Sequence, residues 1–242
     1  VAVAAAYGYW YATKPFDIGT TTRQAVMPAA AALANGGNPF EAARKAASTT
    51  SESNGSLMRI SPLGIYGATL DSGQVVELAM QDSSVTHAAP LCRSAAGVFA
   101  ATLAHAIRAG GTPEEVYGFA LELAETEGVD SRIVVALQRA KREAPNREEF
   151  VGSSQGWVLV AFQNAFFQLL NSESLEDGFV DSVMRGGDTD TNAAIAGALL
   201  GAVHGMAQMP LQWTNQVLSC RPLAGLEGVH HPRPMDFWPV DA

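Results

Sequence analysis

Residues 186–201 read GGDTDTNAAIAGALLG, a polar turn followed directly by a run of small and apolar residues. The run is almost free of polar side chains and long enough for several helical turns, which predicts a buried α-helix. Aspartate and threonine in the turn are residues that commonly begin a helix. Because a helix that is apolar all round must be covered by other elements, this stretch predicts a fold of packed helices.

The rest of the chain has the same helical character. Alanine and leucine dominate, while alternating segments of valine, isoleucine and threonine are nearly absent. The pattern predicts helices at about residues 2–13, 21–35, 39–49, 73–82, 91–109, 113–127, 131–143, 157–171, 174–185 and 190–206. We therefore predict an all-α protein, folded as a single compact multi-helix globular domain over residues 1–242.

Composition narrows the range of partners and locations. The formal net charge of −9 leaves no basic stripe for nucleic acid or anionic lipid. Cys92 and Cys220 lie far apart and lack a CxxC spacing, and no apolar run has the length of a membrane span. No coiled-coil seam or interface stripe is visible. We expect a cytoplasmic, monomeric protein that binds neither membranes nor nucleic acid.

The turn before the apolar helix is the strongest candidate for a metal site. Asp188, Asp190 and Thr191 place two carboxylates and a hydroxyl near a surface predicted to be buried, where like charges repel. A bound cation would relieve that repulsion, and oxygen ligands favour Mg²⁺ or Mn²⁺ over zinc. The alternative is structural: Asp188 or Thr189 caps the helix and Asp190 interacts with its dipole.

A second candidate is the glycine-containing turn Asn54-Gly55-Ser56-Leu57-Met58-Arg59. Exposed backbone amides at such a turn can bind phosphate oxygens, and Arg59 could add charge-assisted hydrogen bonds. The alternative is an ordinary helix entry in which Arg59 forms a salt bridge.

Three further polar turns contain residues of interest, in the segments 17–23, 84–87 and 153–157. His87 is a candidate ligand contact, although a lone histidine is more often a capping or core residue. Trp157 could stack on a base, but a tryptophan at a helix start is more often packed against the core.

Taken in order along the chain, these segments resemble the ADP-ribosylglycohydrolase family. The resemblance runs from DIGTTTR at residues 17–23 through NGSLMR at 54–59 and Thr86-His87 to GGDTDT at 186–191. It implies an all-α fold with a binuclear Mg²⁺ site. It also implies that ADP-ribose, or a protein modified with it, is the ligand.

The resemblance assigns roles to residues of this sequence. Asp188, Asp190 and Thr191 match the metal ligands near the family's C-terminus, and Asp17 matches an acidic loop residue that contacts the ribose to be cleaved, which makes it the catalytic candidate. The remaining matches would bind the substrate, and they are Asn54, Gly55, Ser56, Met58, Arg59, His87 and Trp157.

One part of the family pattern is not found in this sequence. Family members carry, near the N-terminus, an acidic helix and a Thr-Asp-Asp-Thr segment that supply further metal ligands. The sequence opens at Val1 inside an apolar helical pattern, and we expect these ligands to lie upstream of it. The implied activity is Mg²⁺-dependent hydrolysis of the bond between ADP-ribose and a protein side chain, with arginine as the expected residue. The alternative is a non-catalytic ADP-ribose-binding or structural member of the same fold.

Overall fold

The computed structural model describes residues 1–239, and within them the regular structure is helical. Two isolated β-bridges, Ser48 with His87 and Ser53 with Trp157, are the β pairings found there. The α-helices are α1 (Ala2–Ala12), α2 (Thr20–Ala34), α3 (Pro39–Ala46), α4 (Ser61–Gly67), α5 (Ser72–Ser83), α6 (Pro90–Ala109), α7 (Pro113–Ala124), α8 (Arg132–Ala140), α9 (Arg147–Val151), α10 (Val158–Asn171), α11 (Leu175–Met184), α12 (Thr189–His204) and α13 (Leu211–Leu218). The prediction of an all-α fold is confirmed.

Every helix predicted from the sequence is present, within a few residues at each end. The sequence did not reveal α4, α9 and α13, since each is short and gives little periodic signal. In α4, Gly64 and Gly67 weaken the helical pattern, but Gly64 lets the helix approach α6 closely. A Cβ at Gly64 would lie 2.7 Å from Cβ of Leu103.

The main hydrophobic core is built around α6 and α10. Phe99 on α6 packs edge-to-face on Phe166 of α10, with 6.4 Å between ring centroids. Both side chains are fully buried. Phe162 belongs to the same cluster, so the phenylalanine stripe of α10 is core. The buried α12 packs against α10 and α11 and contributes Ile195 and Leu199 to the core. This packing fixes the position of the turn that precedes α12.

A smaller apolar cluster joins α1, α2 and α3, through Ala4, Ala29 and Ala43. The C-terminal segment lies across α1, where Arg233 donates to the backbone oxygen of Thr13 and Phe237 stacks on Tyr9. No helix within residues 1–239 combines the length and the apolar character needed to cross a bilayer. The assignment of residues 1–242 to one domain stays a prediction, and Val240, Asp241 and Ala242 lie outside the described residues.

Candidate functional site

Four of the five predicted polar segments contribute to one cleft of about 300 Å³, whereas no residue of the fifth, 84–87, lines it. The N-terminal ends of α2 and α12 and the turns before residues 57 and 157 form its walls. Its lining combines carboxylates, hydroxyls, an amide and glycine backbone, from Asp17, Gly19, Thr20, Thr21, Thr22, Ser53, Asn54, Gly55, Met58, Gly156, Asp188 and Thr191. Segments far apart in the sequence are thus brought to a single polar site.

Asp188 stands at the cap position of α12 but does not cap the helix. Its side chain makes no hydrogen bond to the first-turn amides, and its Oδ2 instead accepts a hydrogen bond of 2.7 Å from Nδ2 of Asn54. Asp188 is therefore not a helix-capping carboxylate, which was the alternative to a metal ligand. The bond joins the turn before α12 to the turn at residues 54–59, across the cleft.

The backbone of the turn before α12 depends on glycine. Gly186 and Gly187 have φ angles of +81° and +69°, in the left-handed region that favours glycine. A Cβ at Gly187 would lie 1.7 Å from the backbone oxygen of Phe150, far inside contact distance. The two glycines therefore allow α11 to end and the chain to turn tightly before Asp188.

The hard oxygen donors of this turn suit part of a divalent-cation site. Asp188 and Thr191 line the cleft, whereas Asp190 is an exposed residue in the first turn of α12. Thr191 also donates weakly to the sulfur of Met58, at 3.9 Å. The next residue, Asn192, is fully buried, and its amide oxygen and nitrogen have no hydrogen-bond partner in the described structure.

Taken alone, however, the chain contributes few charged ligands to such a site. Across residues 1–239, no three histidine, cysteine, aspartate or glutamate side chains form a group that could hold a metal ion. The donors that are present match the oxygen chemistry preferred by Mg²⁺. Asp188, Asp190 and Thr191 therefore stay predicted metal ligands whose donor types fit the ion.

Asp17 lies in the loop before α2 and lines the same cleft as Asp188. Its residue is exposed, and its Oδ1 accepts a hydrogen bond of 2.8 Å from the backbone nitrogen of Ile18. This local bond leaves the other carboxylate oxygen available to a ligand. Its role as the catalytic residue stays a prediction.

Residues 54–59 divide between the cleft and the interior. Asn54, Gly55 and Met58 line the cleft, whereas Ser56 is fully buried and accepts a hydrogen bond of 2.9 Å from Oγ of Ser83. Gly55 has no room for a side chain, because a Cβ there would lie 2.9 Å from Cε1 of His87. Glycine at this position therefore lets the turn pack closely against His87 and Thr22.

Arg59 is held by protein acceptors rather than projecting into this cleft. Its guanidinium donates to the backbone oxygen of Gly55 at 3.1 Å and to that of Asp82 at 3.1 Å, and it pairs with the Asp82 carboxylate at 3.4 Å. Tyr7 donates to the other carboxylate oxygen, and the Arg59 guanidinium lies 4.6 Å from the centre of its ring. Arg59 therefore forms a salt bridge, as expected if residues 54–59 are an ordinary helix entry. A contact between Arg59 and phosphate stays a prediction.

Arg59 also borders a second, mainly apolar cavity of about 340 Å³ beside the polar cleft. Thr22, Gly55 and Met58 line both cavities. Aromatic side chains from α1 and the C-terminal segment form much of the second one, through Tyr7, Trp10 and Phe237.

His87 is completely buried between two hydroxyl groups. Its Nδ1 lies 2.7 Å from Oγ1 of Thr86 and its Nε2 lies 2.9 Å from Oγ of Ser53. Burial and, to a smaller extent, the nearby charge of Arg59 together lower the pKa of His87 to about 3. The imidazole is therefore neutral at physiological pH, and Ser53 stands between it and the cleft.

This buried neutral histidine predicts a pH dependence of stability. Because the pKa in the folded protein lies below the unfolded value of 6.5, the unfolded chain binds more protons between the two values. The contribution is complete above about pH 6.5 and is lost as the pH falls toward 3. Between pH 6.5 and pH 5, the unfolding free energy should fall by about 2 kcal/mol more in the wild type than in His87→Gln.

Urea titrations of both proteins at closely spaced pH values measure this difference. Other titrating groups, including the partly buried His105, are common to both proteins and cancel in the comparison. Parallel pH profiles for wild type and variant would show that His87 is not held neutral by the fold.

Trp157 does not line the cleft, although the preceding residue, Gly156, does. The side-chain nitrogen of Trp157 donates to Glu52 at 3.1 Å, and the indole packs against the main core rather than lining the cleft. The bridge between Trp157 and Ser53 lies beside a hydrogen bond of 2.9 Å from the Asn54 nitrogen to the Gly156 oxygen. Ligand binding by the ring stays a prediction, and Gly156 is the neighbour that reaches the cleft.

Sequence reasoning missed Ser53, which lines the cleft and lies directly beside the turn at residues 54–59. It gave no role to Gly156 or to the threonines of the first turn of α2, although they lie within the segments 153–157 and 17–23 that were singled out. A serine next to a glycine turn is too common to indicate a site, and only the folded structure brings it against His87.

The fold and the cleft define an all-helical protein with a polar, carboxylate-containing ligand site between helix N-termini. The family model for ADP-ribosylglycohydrolase matches residues 1–231. The chain belongs to the ADP-ribosylglycohydrolase family.

Several known proteins are similar to this chain. The ADP-ribosyl glycohydrolase L543 of Acanthamoeba polyphaga mimivirus, as its name has it, is 29% identical to this chain over 232 residues. The match covers 90% of this chain and 68% of that protein. The ADP-ribosylarginine hydrolase Tri1 of Pseudomonas putida is 28% identical, with 68% of this chain and 42% of its own length covered. The ADP-ribosyl-[dinitrogen reductase] glycohydrolase of Rhodospirillum rubrum is 23% identical, and the match covers 87% of this chain and 63% of that protein.

A solved structure described as an ADP-ribosylglycohydrolase-related protein complex has a TM-score of 0.69 and 27% sequence identity to this chain. The similarity covers 87% of this chain and 65% of the other. The chain thus spans between about two fifths and two thirds of the lengths of these known proteins.

Proposed function

We propose that this protein hydrolyses the glycosidic bond between ADP-ribose and a modified protein side chain, with ADP-ribosyl-arginine as the substrate. The observation that carries the proposal is the Asp188 carboxylate, which leaves the cap position of α12 unused and instead meets Asn54 in the polar cleft. Family membership and the names of the relatives support ADP-ribosyl hydrolysis. Arginine as the modified residue is the choice that the relative from Pseudomonas putida favours.

Asp188, Asp190 and Thr191 are the residues that would hold Mg²⁺, or Mn²⁺ in its place. A divalent cation there would supply Lewis-acid stabilisation of charge that develops on the sugar oxygens. The fit is one of donor chemistry, since carboxylate and hydroxyl oxygens are the ligands these ions prefer.

The chain's own residues provide binding and proton transfer. Asp17 lines the cleft with a carboxylate exposed to solvent, and in the proposal it contacts the ribose that is cleaved. A carboxylate of the cleft accepts a proton from the attacking water. At the same time, the oxygen of that water bonds to the anomeric carbon. The bond from that carbon to the arginine nitrogen breaks, and this nitrogen takes up the proton that the carboxylate received from water, so that arginine leaves and the carboxylate is regenerated.

The test compares two substrates, one protein modified on arginine and one modified on serine, with release of ADP-ribose measured by chromatography. We expect release from the arginine-linked substrate. Release from the serine-linked substrate alone would overturn the linkage. If neither substrate is consumed at enzyme concentrations equal to those of the substrate, hydrolysis itself is wrong.

Binding without hydrolysis is the alternative function. The observation that favours it is the small number of ligands: Asp188 and Thr191 reach the cleft, and one Asp188 oxygen is already bonded to Asn54. A Mg²⁺ ion takes about six oxygen ligands in octahedral geometry. Calorimetric binding of ADP-ribose by a protein that releases none from either substrate would establish this alternative.

A further inference from the structure

Asn54 is held in place by both of its backbone groups. Its nitrogen donates to the Gly156 oxygen at 2.9 Å, and its oxygen accepts from the Met58 nitrogen at 3.0 Å. The residue is only 6% exposed, so surrounding atoms also confine the side chain. The side-chain amide of Asn54 is therefore a donor with a fixed position.

The orientation of this amide follows from its partner. Nδ2 lies 2.7 Å from Oδ2 of Asp188. An ionised carboxylate can only accept, so the nitrogen of the amide and not its oxygen faces Asp188. A hydrogen bond to a charged acceptor is roughly twice as strong as one between neutral groups. Asp188 is half-buried, so water competes for this bond only in part.

The Asp188 carboxylate is turned away from its own helix. A residue at the cap position usually has extended backbone and accepts from amides of the first turn. Asp188 has φ of −77° and ψ of 64°, and its side chain makes no such bond. Among residues 1–239, the side chain that donates to this carboxylate is Asn54. The orientation of the carboxylate thus depends on the turn at residues 54–59 rather than on α12.

We propose that Asn54 is a positioning residue, whose amide holds the Asp188 carboxylate toward the cleft in the orientation that suits a divalent cation. The proposal rests on the proposed function, because it takes Asp188 as a metal ligand. The bond occupies Oδ2, and within residues 1–239 no donor is bonded to Oδ1. Carboxylates that bind metals are commonly oriented by such hydrogen bonds from neighbouring groups.

This proposal changes the role expected of the Asn54 side chain, from contact with the substrate to orientation of a metal ligand. The same turn contacts a second predicted ligand, since Thr191 donates to the sulfur of Met58 at 3.9 Å. A thioether is a weak acceptor, so that contact leaves Thr191 able to turn to a stronger partner. Of the two contacts, the short bond from Asn54 is the one that fixes a ligand.

The first experiment measures Mn²⁺ binding without substrate, from the electron paramagnetic resonance signal of the unbound ion. Asn54→Ala removes the amide, and Asn54→Leu removes it while keeping a branched side chain. Both should raise the dissociation constant of Mn²⁺ by about tenfold to a hundredfold, as is typical when a group that orients a metal ligand is lost. If leucine preserved the affinity and alanine did not, packing would be the role of Asn54 and the proposal would be wrong.

Asn171→Ala is the matched control for these variants. The Asn171 amide donates to the Phe167 oxygen at 2.9 Å, at the end of α10 and outside the cleft. Its removal should leave the dissociation constant of Mn²⁺ equal to that of the wild type. An equal loss of affinity in Asn171→Ala and the Asn54 variants would overturn a specific role for Asn54.

The second experiment compares metal-free crystal structures of the wild type and the two Asn54 variants. We expect the Asp188 carboxylate to leave its position beside residue 54, while the backbone of residues 54–59 stays in place. A carboxylate that keeps its wild-type position would contradict the proposal. A displaced turn would show that Asn54 supports the backbone instead. One folded variant suffices for this comparison.

The outcomes separate this proposal from the function on which it rests. If the wild type and both variants bind Mn²⁺ equally well, the positioning role is wrong and the metal assignment stands. If the wild type binds no Mn²⁺, the metal assignment is wrong, whereas the crystal structures still decide whether Asn54 holds the carboxylate. Neither measurement uses ADP-ribose, so a wrong choice of substrate changes neither result.

Discussion

Asp188→Asn is expected to lower the turnover of ADP-ribosylated substrate by about a hundredfold or more, while the protein stays folded. Asparagine has the size of aspartate and can still accept from Asn54, which donates to Oδ2 at 2.7 Å. The negative charge is lost, and with it several kcal/mol of electrostatic stabilisation, where each 1.4 kcal/mol is about tenfold in rate. Single-turnover release of ADP-ribose measures the effect.

Asp71→Asn is the matched control for this substitution. Asp71 caps α5 with its side chain, and asparagine caps helices as well as aspartate does. Its activity and stability should therefore be close to those of the wild type. If Asp188→Asn behaved the same way, Asp188 would be an ordinary residue of a helix start and the metal assignment would be wrong.

Gly187→Ala is expected to reduce the unfolding free energy by about 3 kcal/mol or more, through left-handed backbone strain and steric overlap. The new Cβ would lie 1.7 Å from the Phe150 oxygen, so the turn must move away from α9. Movement of the turn also displaces Asp188, so activity should fall together with stability. Chemical denaturation and the release assay measure both effects.

Gly201→Ala, in the same helix α12, provides the control. A Cβ at Gly201 meets nothing within 4 Å, and alanine is favoured over glycine inside a helix by about 0.5–1 kcal/mol. This variant should be as stable as the wild type or slightly more stable. Equal stability of Gly187→Ala and Gly201→Ala would contradict the tight turn described here.

The fold was largely predictable because its signals are local. The apolar helix after residue 188, the capping residues at Thr112 and the glycine pairs between helices all appear in short windows of sequence. The short helix α13 was not predicted, since it spans only Leu211–Leu218 and none of its residues is buried.

The site was predictable in its parts but not in its geometry. The turns containing Asp17, Asn54 and Asp188 were each recognised, and they do line one cleft. The hydrogen bond between Asn54 and Asp188 joins residues 134 positions apart, and no local pattern indicates it. For Arg59 and His87 the sequence allowed both a ligand contact and a buried role, and tertiary packing decided that both side chains bond to protein groups.

The measurement that tests the central claim most directly is the Mg²⁺ dependence of ADP-ribose release from a protein modified on arginine. The protein is assayed as purified, after treatment with EDTA, and after Mg²⁺ is added back in excess. We predict release that stops with EDTA and returns with Mg²⁺. Release that continues unchanged after removal of divalent cations would contradict the metal site at Asp188, and no release under any of the three conditions would contradict the hydrolase.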